Sequence, residues 1–193
     1  MEYAARRLSV TGSRHLLDIG CGAGRNAAPL AAMGWQVIGT DLSWPMIHAA
    51  LVREAGGLNL VVAAMQSLPI RSGSAGLIVA HGIWNLARSG QEFRDAIREA
   101  ARVASRGAAL FVFTFSRHTL PPEVQPLGGE AFVFTEFSGA PQCFLTEAQL
   151  LGELSSVGFV PDPALPLREL NRPPTGLRTT RAPVIYEGAF QFS

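Results

Sequence analysis

A chain of 193 residues has enough material for one hydrophobic core, and 48% apolar with 16% charged residues is a globular composition, not a disordered one. The formal charge of +1 gives no electrostatic footprint for a phosphate backbone or an anionic membrane, and no basic stripe with aromatics occurs, so neither nucleic acid nor membrane is an expected partner. Two cysteines, far apart in sequence, exclude a disulfide framework and a zinc knuckle, so no metal is expected. With no apolar leader and no uninterrupted apolar span, the expected location is cytoplasmic.

In chain order, residues 1–10 have room for at most a short helix. Residues 14–19 (RHLLDI) form an apolar run that ends at a glycine turn, GCGAG, over 20–24. Residues 25–33 have helical spacing closed by Gly34, and 35–40 (WQVIGT) form a second run ending at Asp41. This predicts strand, turn, helix, strand: one βαβ unit. Ser43 and Pro45 suit the start of a helix reaching about Arg53. Further strands are expected at 58–63, 77–80 and 108–115, with a helix over 91–104 ended by Gly107. These strands are continuous apolar runs, as expected when helices cover both faces of a parallel sheet. Beyond Ser116 the spacing predicts a loop over 117–129, a short strand within 131–137, and a helix from the cap Thr146 to Phe159. A sixth strand is expected at 165–170, a loop at 171–180 and a last strand at 183–190. The chain reads as a single domain, 1–193, with an insertion at about 116–144.

A glycine turn between strand and helix lets a ligand approach the backbone amides closely. An acid ending the next strand can hold both hydroxyls of a ribose, and Asp41 has that place. The constellation therefore predicts an adenosine-containing ligand. A dinucleotide fingerprint would need a third glycine where Arg25 stands. This argues against a nicotinamide-dependent reductase.

The string LLDIGCGAGRNAAPLAAMGWQVIGTDLS over 16–43 resembles the first two motifs of class I S-adenosylmethionine (SAM)-dependent methyltransferases. Leu68-Pro69-Ile70, the Ala101-Arg102-Val103 approach to Ala108, and Val157-Gly158-Phe159 resemble later segments of that family. Gly24-Arg25-Asn26 is similar to its tellurite-resistance and thiopurine branch. The resemblance implies an α/β three-layer Rossmann-like sandwich with a mostly parallel seven-stranded sheet, the last strand antiparallel. It implies SAM as cofactor. Gly20, Gly22 and Gly24 would line the methionine and ribose, and Asp18 would place the amino group. Asp41 would bind the ribose diol, Leu42 would pack on adenine, Met65 would meet the adenine edge, and His81 with Gly82 would border the methyl. The sequence departs from the family pattern at Ala64, where an acid often caps the adenine amine, and at Ala75-Gly76, where Phe-Asp is common.

On the acceptor side His81 ends a central strand and reads either as a proton acceptor or as a hydrogen-bonded structural histidine. Trp84 and Asn85 read as an apolar wall and a polar anchor, or as helix packing. Arg117 reads as a receptor for an anionic acceptor or as a solvated loop residue, and Thr114, Ser116, His118, Glu136, Arg168 and Asn171 as further candidates. The expected activity is methylation of an O, N or S atom of a small molecule, with a homodimer left open. The competing expectation is a SAM-binding protein without turnover, a sensor or a partner subunit.

Overall fold

The computed structural model describes residues 1–10, 12–53, 58–173 and 182–193. In chain order it contains α1 (Glu2–Val10), β1 (His15–Ile19), α2 (Ala27–Ala32), β2 (Gln36–Asp41), α3 (Trp44–Arg53), β3 (Asn59–Val62) and β4 (Ala75–His81). A 3-10 turn at Trp84–Leu86 precedes α4 (Gly90–Val103) and β5 (Ala104–Phe115), and another lies at Arg117–Thr119. There follow β6 (Val133–Phe134), β7 (Gln142–Cys143), α5 (Glu147–Ser156), β8 (Phe159–Pro161), β9 (Arg168–Leu170) and β10 (Ile185–Phe192).

The main sheet has eight strands in the order β3-β2-β1-β4-β5-β10-β8, with β9 also beside β10. β1 to β5 run parallel, and β10 is antiparallel to β5. Alternate residues go to opposite faces. Leu16, Val37, Leu77 and Val79 meet Ala4 of α1 and Ala27 and Leu30 of α2. Leu17, Ile19, Ile78, Ala80, Leu110 and Val112 meet Phe93 and Ile97 of α4 and Leu150 and Leu154 of α5. A sheet covered on both faces is the expected three-layer sandwich. Full burial of a side chain such as Phe93 stabilises the fold by roughly 2–3 kcal/mol.

The edge beyond β10 differs from expectation. In place of one strand at 165–170, two short strands share it: β8 pairs with residues 190–192 of β10 and β9 with 185–187. Gly158, at φ 94°, ends α5 and reverses the chain straight into β8. The chain then leaves the edge at Asp162 and returns at Arg168, still bonded to Ala189 through Asp162 and Leu165. The strand expected within 131–137 is β6, and it pairs with β7 in a separate two-stranded sheet. The helix after the glycine turn begins at Ala27 instead of 25, because Gly22 and Gly24 at positive φ keep that stretch out of helical geometry. Of the loop expected over 171–180, residues 174–180 lie outside those described. No described helix is long and apolar enough to cross a membrane.

Candidate functional site

Strand register places the chemistry in one row. Asp41 pairs with Val62, and one step past the pairs Ile19–Thr40 and Ile19–Ala80 brings Gly20 between Asp41 and His81. His81 pairs with Phe113, Phe113 with Glu187, and Glu187 with Arg168. The row lies at the carboxyl ends of the parallel strands, where open α/β sheets bind ligands.

The glycine turn is held to β2, since Gly20 and Cys21 both donate to the Thr40 carbonyl, at 2.7 and 2.9 Å. Gly20 has φ 70°, and a Cβ there would lie 2.6 Å from the Ile83 side chain. Only glycine combines that backbone with that approach. The Asp41 carboxylate accepts from the Gly22 amide at 2.9 Å through one oxygen and from the Ser43 amide at 2.8 Å through the other. It faces a cavity of about 560 Å³ walled by Gly20, Leu42, Ala64, Met65 and Ile83.

Asp18 is 1% exposed, and neither carboxylate oxygen has a hydrogen-bond partner. Burial first, and the charge of Asp41 second, push its carboxyl up to about 7. A buried, unpaired carboxylate is costly unless a donor or cation joins it. The set fits a ligand with a vicinal diol at Asp41, while Asp18, two residues before the turn and in the wall of neither cavity, is a buried carboxylate with no donor of its own.

A second cavity, of about 480 Å³, opens between α1, α2 and the sheet. Its walls include Tyr3, Asn26, Val79, His81, Phe111 and Glu187. Half-buried His81 stacks on Phe113, centroids 4.4 Å apart. Burial lowers its pKa below the ordinary histidine value, so the imidazole is neutral near pH 7. Tyr3 donates to Asp162 at 2.7 Å, tying α1 to the loop after β8.

Trp84 and Asn85 need correction as acceptor-side residues. Trp84 is 0% exposed, packs edge-on to Phe93, and belongs to the core beneath the loop. Asn85 is 3% exposed and forms the wall of neither cavity. The 3-10 turn directs both inward. Arg117 is committed as well: its guanidinium donates to the carbonyls of Leu120, Pro121, Pro122 and Val124 and covers the Phe134 ring. It organises the proline-rich loop and has no free donor fork for an anion. Ser116 and His118 converge on Glu169, at 2.5 and 2.6 Å, with Arg172 on its other oxygen at 3.2 Å. Asn171, at φ 63°, donates to the Pro183 carbonyl. Glu136 and Arg168 are exposed. Ile83, Glu169 and Glu187 had no motif to single them out; strand register alone reveals Glu187. Among the described residues no group of three or more His, Cys, Asp or Glu is placed to hold a metal.

A family model described as a methyltransferase domain matches residues 17–112. The chain is similar to demethylmenaquinone methyltransferase of Corynebacterium urealyticum, 28% identical over 133 residues, 68% of this chain and 52% of that protein. It is also similar to an 18S rRNA (guanine-N(7))-methyltransferase of Arabidopsis thaliana, 45% identical over 60 residues, 31% of this chain and 21% of that protein. It thus spans about half or less of the length of these curated relatives. A solved SAM-dependent methyltransferase of Methanosarcina mazei shares the fold, with TM-score 0.72 at 21% identity over 95% of this chain and 94% of that one.

Proposed function

The chain belongs to the class I SAM-dependent methyltransferase family, and on that premise we propose that it transfers a methyl group from SAM to an O, N or S atom of a small molecule. The observation that carries this is the buried, unpaired Asp18 carboxylate beside an Asp41 carboxylate fixed by two backbone amides.

In this proposal Asp41 holds the ribose hydroxyls and Asp18 the ammonium. Gly20, Gly22 and Gly24 make room for the methionine and ribose. Leu42 and Met65 flank the adenine. When bound, the cofactor supplies an electrophilic methyl on its sulfonium. The chain's own contribution is position and dryness, which account for much of the rate in such displacements. Ile83 lies against Gly20 and screens the turn from water. His81, neutral and held by Phe113, accepts a proton from an acceptor that must lose one. Trp84 acts at one remove by anchoring the loop that carries Ile83.

A small acceptor is favoured by the cavity beside His81, whose volume of about 480 Å³ lies within the usual range for small-molecule sites. The small-molecule activity named for the Corynebacterium relative and the near-neutral charge point the same way. Calorimetry with S-adenosylhomocysteine tests the cofactor site, and methyl release from labelled SAM across a small-molecule panel tests turnover. Stoichiometric binding and a methylated product are expected. A flat isotherm at millimolar ligand with folded protein would sink the proposal.

A further inference from the structure

The register row that carries Asp41, Gly20, His81 and Phe113 continues to Glu187 on β10. Glu187 does not line the cavity that Asp41 faces. Strands are roughly 4.8 Å apart, so Glu187 lies about 10 Å beyond His81, on the side away from Asp41. Its half-buried carboxylate lines the cavity of about 480 Å³, with Phe111 and His81 on the same floor. Among the described residues no donor meets it. Arg168 is paired directly opposite on β9, yet forms no ion pair with it. The other charged side chains near this cavity are Glu2 and Arg6 on α1 and Arg25 after the glycine turn, all exposed and solvated. The half-buried carboxylate is the group whose charge solvent screens least.

We propose that Glu187 selects the methyl acceptor, and that the acceptor is an aromatic compound bearing a protonated or N–H-donating nitrogen. The nitrogen lies at Glu187, the ring on Phe111, and the nucleophilic atom at His81. A carboxylate beside aromatic rings favours a cationic nitrogen through a charge-assisted hydrogen bond and ring-face attraction. The same carboxylate repels a carboxylate-bearing ligand. This inference rests on the methyltransferase reading, because it uses the cofactor to define which end of the row is the acceptor's.

The test uses three probes of one shape: 2-phenylethylamine, 2-phenylethanol and phenylacetate. Each is titrated by ligand-observed NMR into protein first saturated with S-adenosylhomocysteine. In the unaltered protein the amine binds about tenfold or more tighter than phenylacetate, with the alcohol between. In Glu187→Gln the amine's advantage over the alcohol shrinks about fivefold or more, while the alcohol's affinity holds. Because Glu187 makes no hydrogen bond, Glu187→Gln breaks none, and an unchanged melting temperature verifies that the variant is folded. Equal binding of amine and phenylacetate, an amine preference that survives Glu187→Gln, or no binding of any probe overturns the assignment. Failure of S-adenosylhomocysteine itself to bind overturns the methyltransferase reading instead, so the two failures are distinguishable.

Discussion

His81 and Phe113 stack nearly parallel, ring centroids 4.4 Å apart and planes 14° from coplanar orientation, across the junction of β4 and β5. The stack fixes the imidazole at the carboxyl end of β4, and burial keeps it neutral. A histidine whose folded pKa is lowered contributes stability that is present above its unfolded value and lost as pH falls. If His81 is the proton acceptor, His81→Gln lowers kcat by about 100-fold or more. Cofactor affinity in the same variant stays within about threefold. Steady-state kinetics at saturating SAM, paired with calorimetry, checks the split. Equal losses in kcat and cofactor affinity would assign His81 a structural role.

Asp18 gives a pH dependence of the opposite kind. Its carboxyl titrates at about 7 in the folded protein against an ordinary value of 3.8. Between those values the folded state binds the extra proton, so stability falls as pH rises through that window and is level above it. The full span of that window corresponds to at most about 4 kcal/mol. Urea unfolding of the ligand-free protein at about pH 5 and about pH 8 measures the difference, and Asp18→Asn should abolish most of it. A bound ammonium reverses the preference. Binding of S-adenosylhomocysteine near pH 6 should therefore release a proton, read as a heat that depends on the buffer's ionisation enthalpy.

At Gly20 two penalties coincide: φ of 70° and an Ile83 side chain 2.6 Å from any added Cβ. Gly20→Ala should cost about 2–4 kcal/mol. Because the Ile83 Cβ itself would lie 2.7 Å from the new Cβ, pairing it with Ile83→Gly should relieve the collision but not the backbone strain, leaving about 1–2 kcal/mol relative to Ile83→Gly alone. Chemical denaturation of the four proteins closes this cycle. Full recovery would mean that the backbone at Gly20 carries no strain.

Arg117 holds four carbonyls of the loop that follows β5. Arg117→Ala should free that loop without touching the cofactor cavity. The expected readout is faster hydrogen exchange at the amides of Leu120 and Val124, which bond back to Arg117 and Pro121. Affinity for S-adenosylhomocysteine should be unchanged. Protection that persists in the variant would refute this organising role.

The five parallel strands were legible because each is a short apolar run bounded by turn residues, and a sheet covered on both faces needs that composition. The cofactor end was legible for a related reason: Gly20, Gly22 and Gly24 form the turn after the first strand and Asp41 ends the second strand of one βαβ unit, so their spacing along the chain tracks their spacing in space. β8 was not legible. Three residues closed by Pro161 carry no period of their own, and pairing with Phe190 to Phe192 makes them a strand. Trp84 and Asn85 misled because a position after a central strand does not say which way a 3-10 turn directs its side chains.

By itself the sequence determined the alternation of strands and helices, the glycine turn and the acid that ends the second strand, since these are local and depend on neighbours a few residues away. Only the tertiary structure decided that Asp18 is buried without a partner, that Arg117 is spent on its own loop, and that Glu187 shares a row with His81 and Asp41. Those facts depend on pairing between strands as far apart in sequence as Ala109 and Gln191, whose register is set by which faces the helices cover, and no local pattern records it.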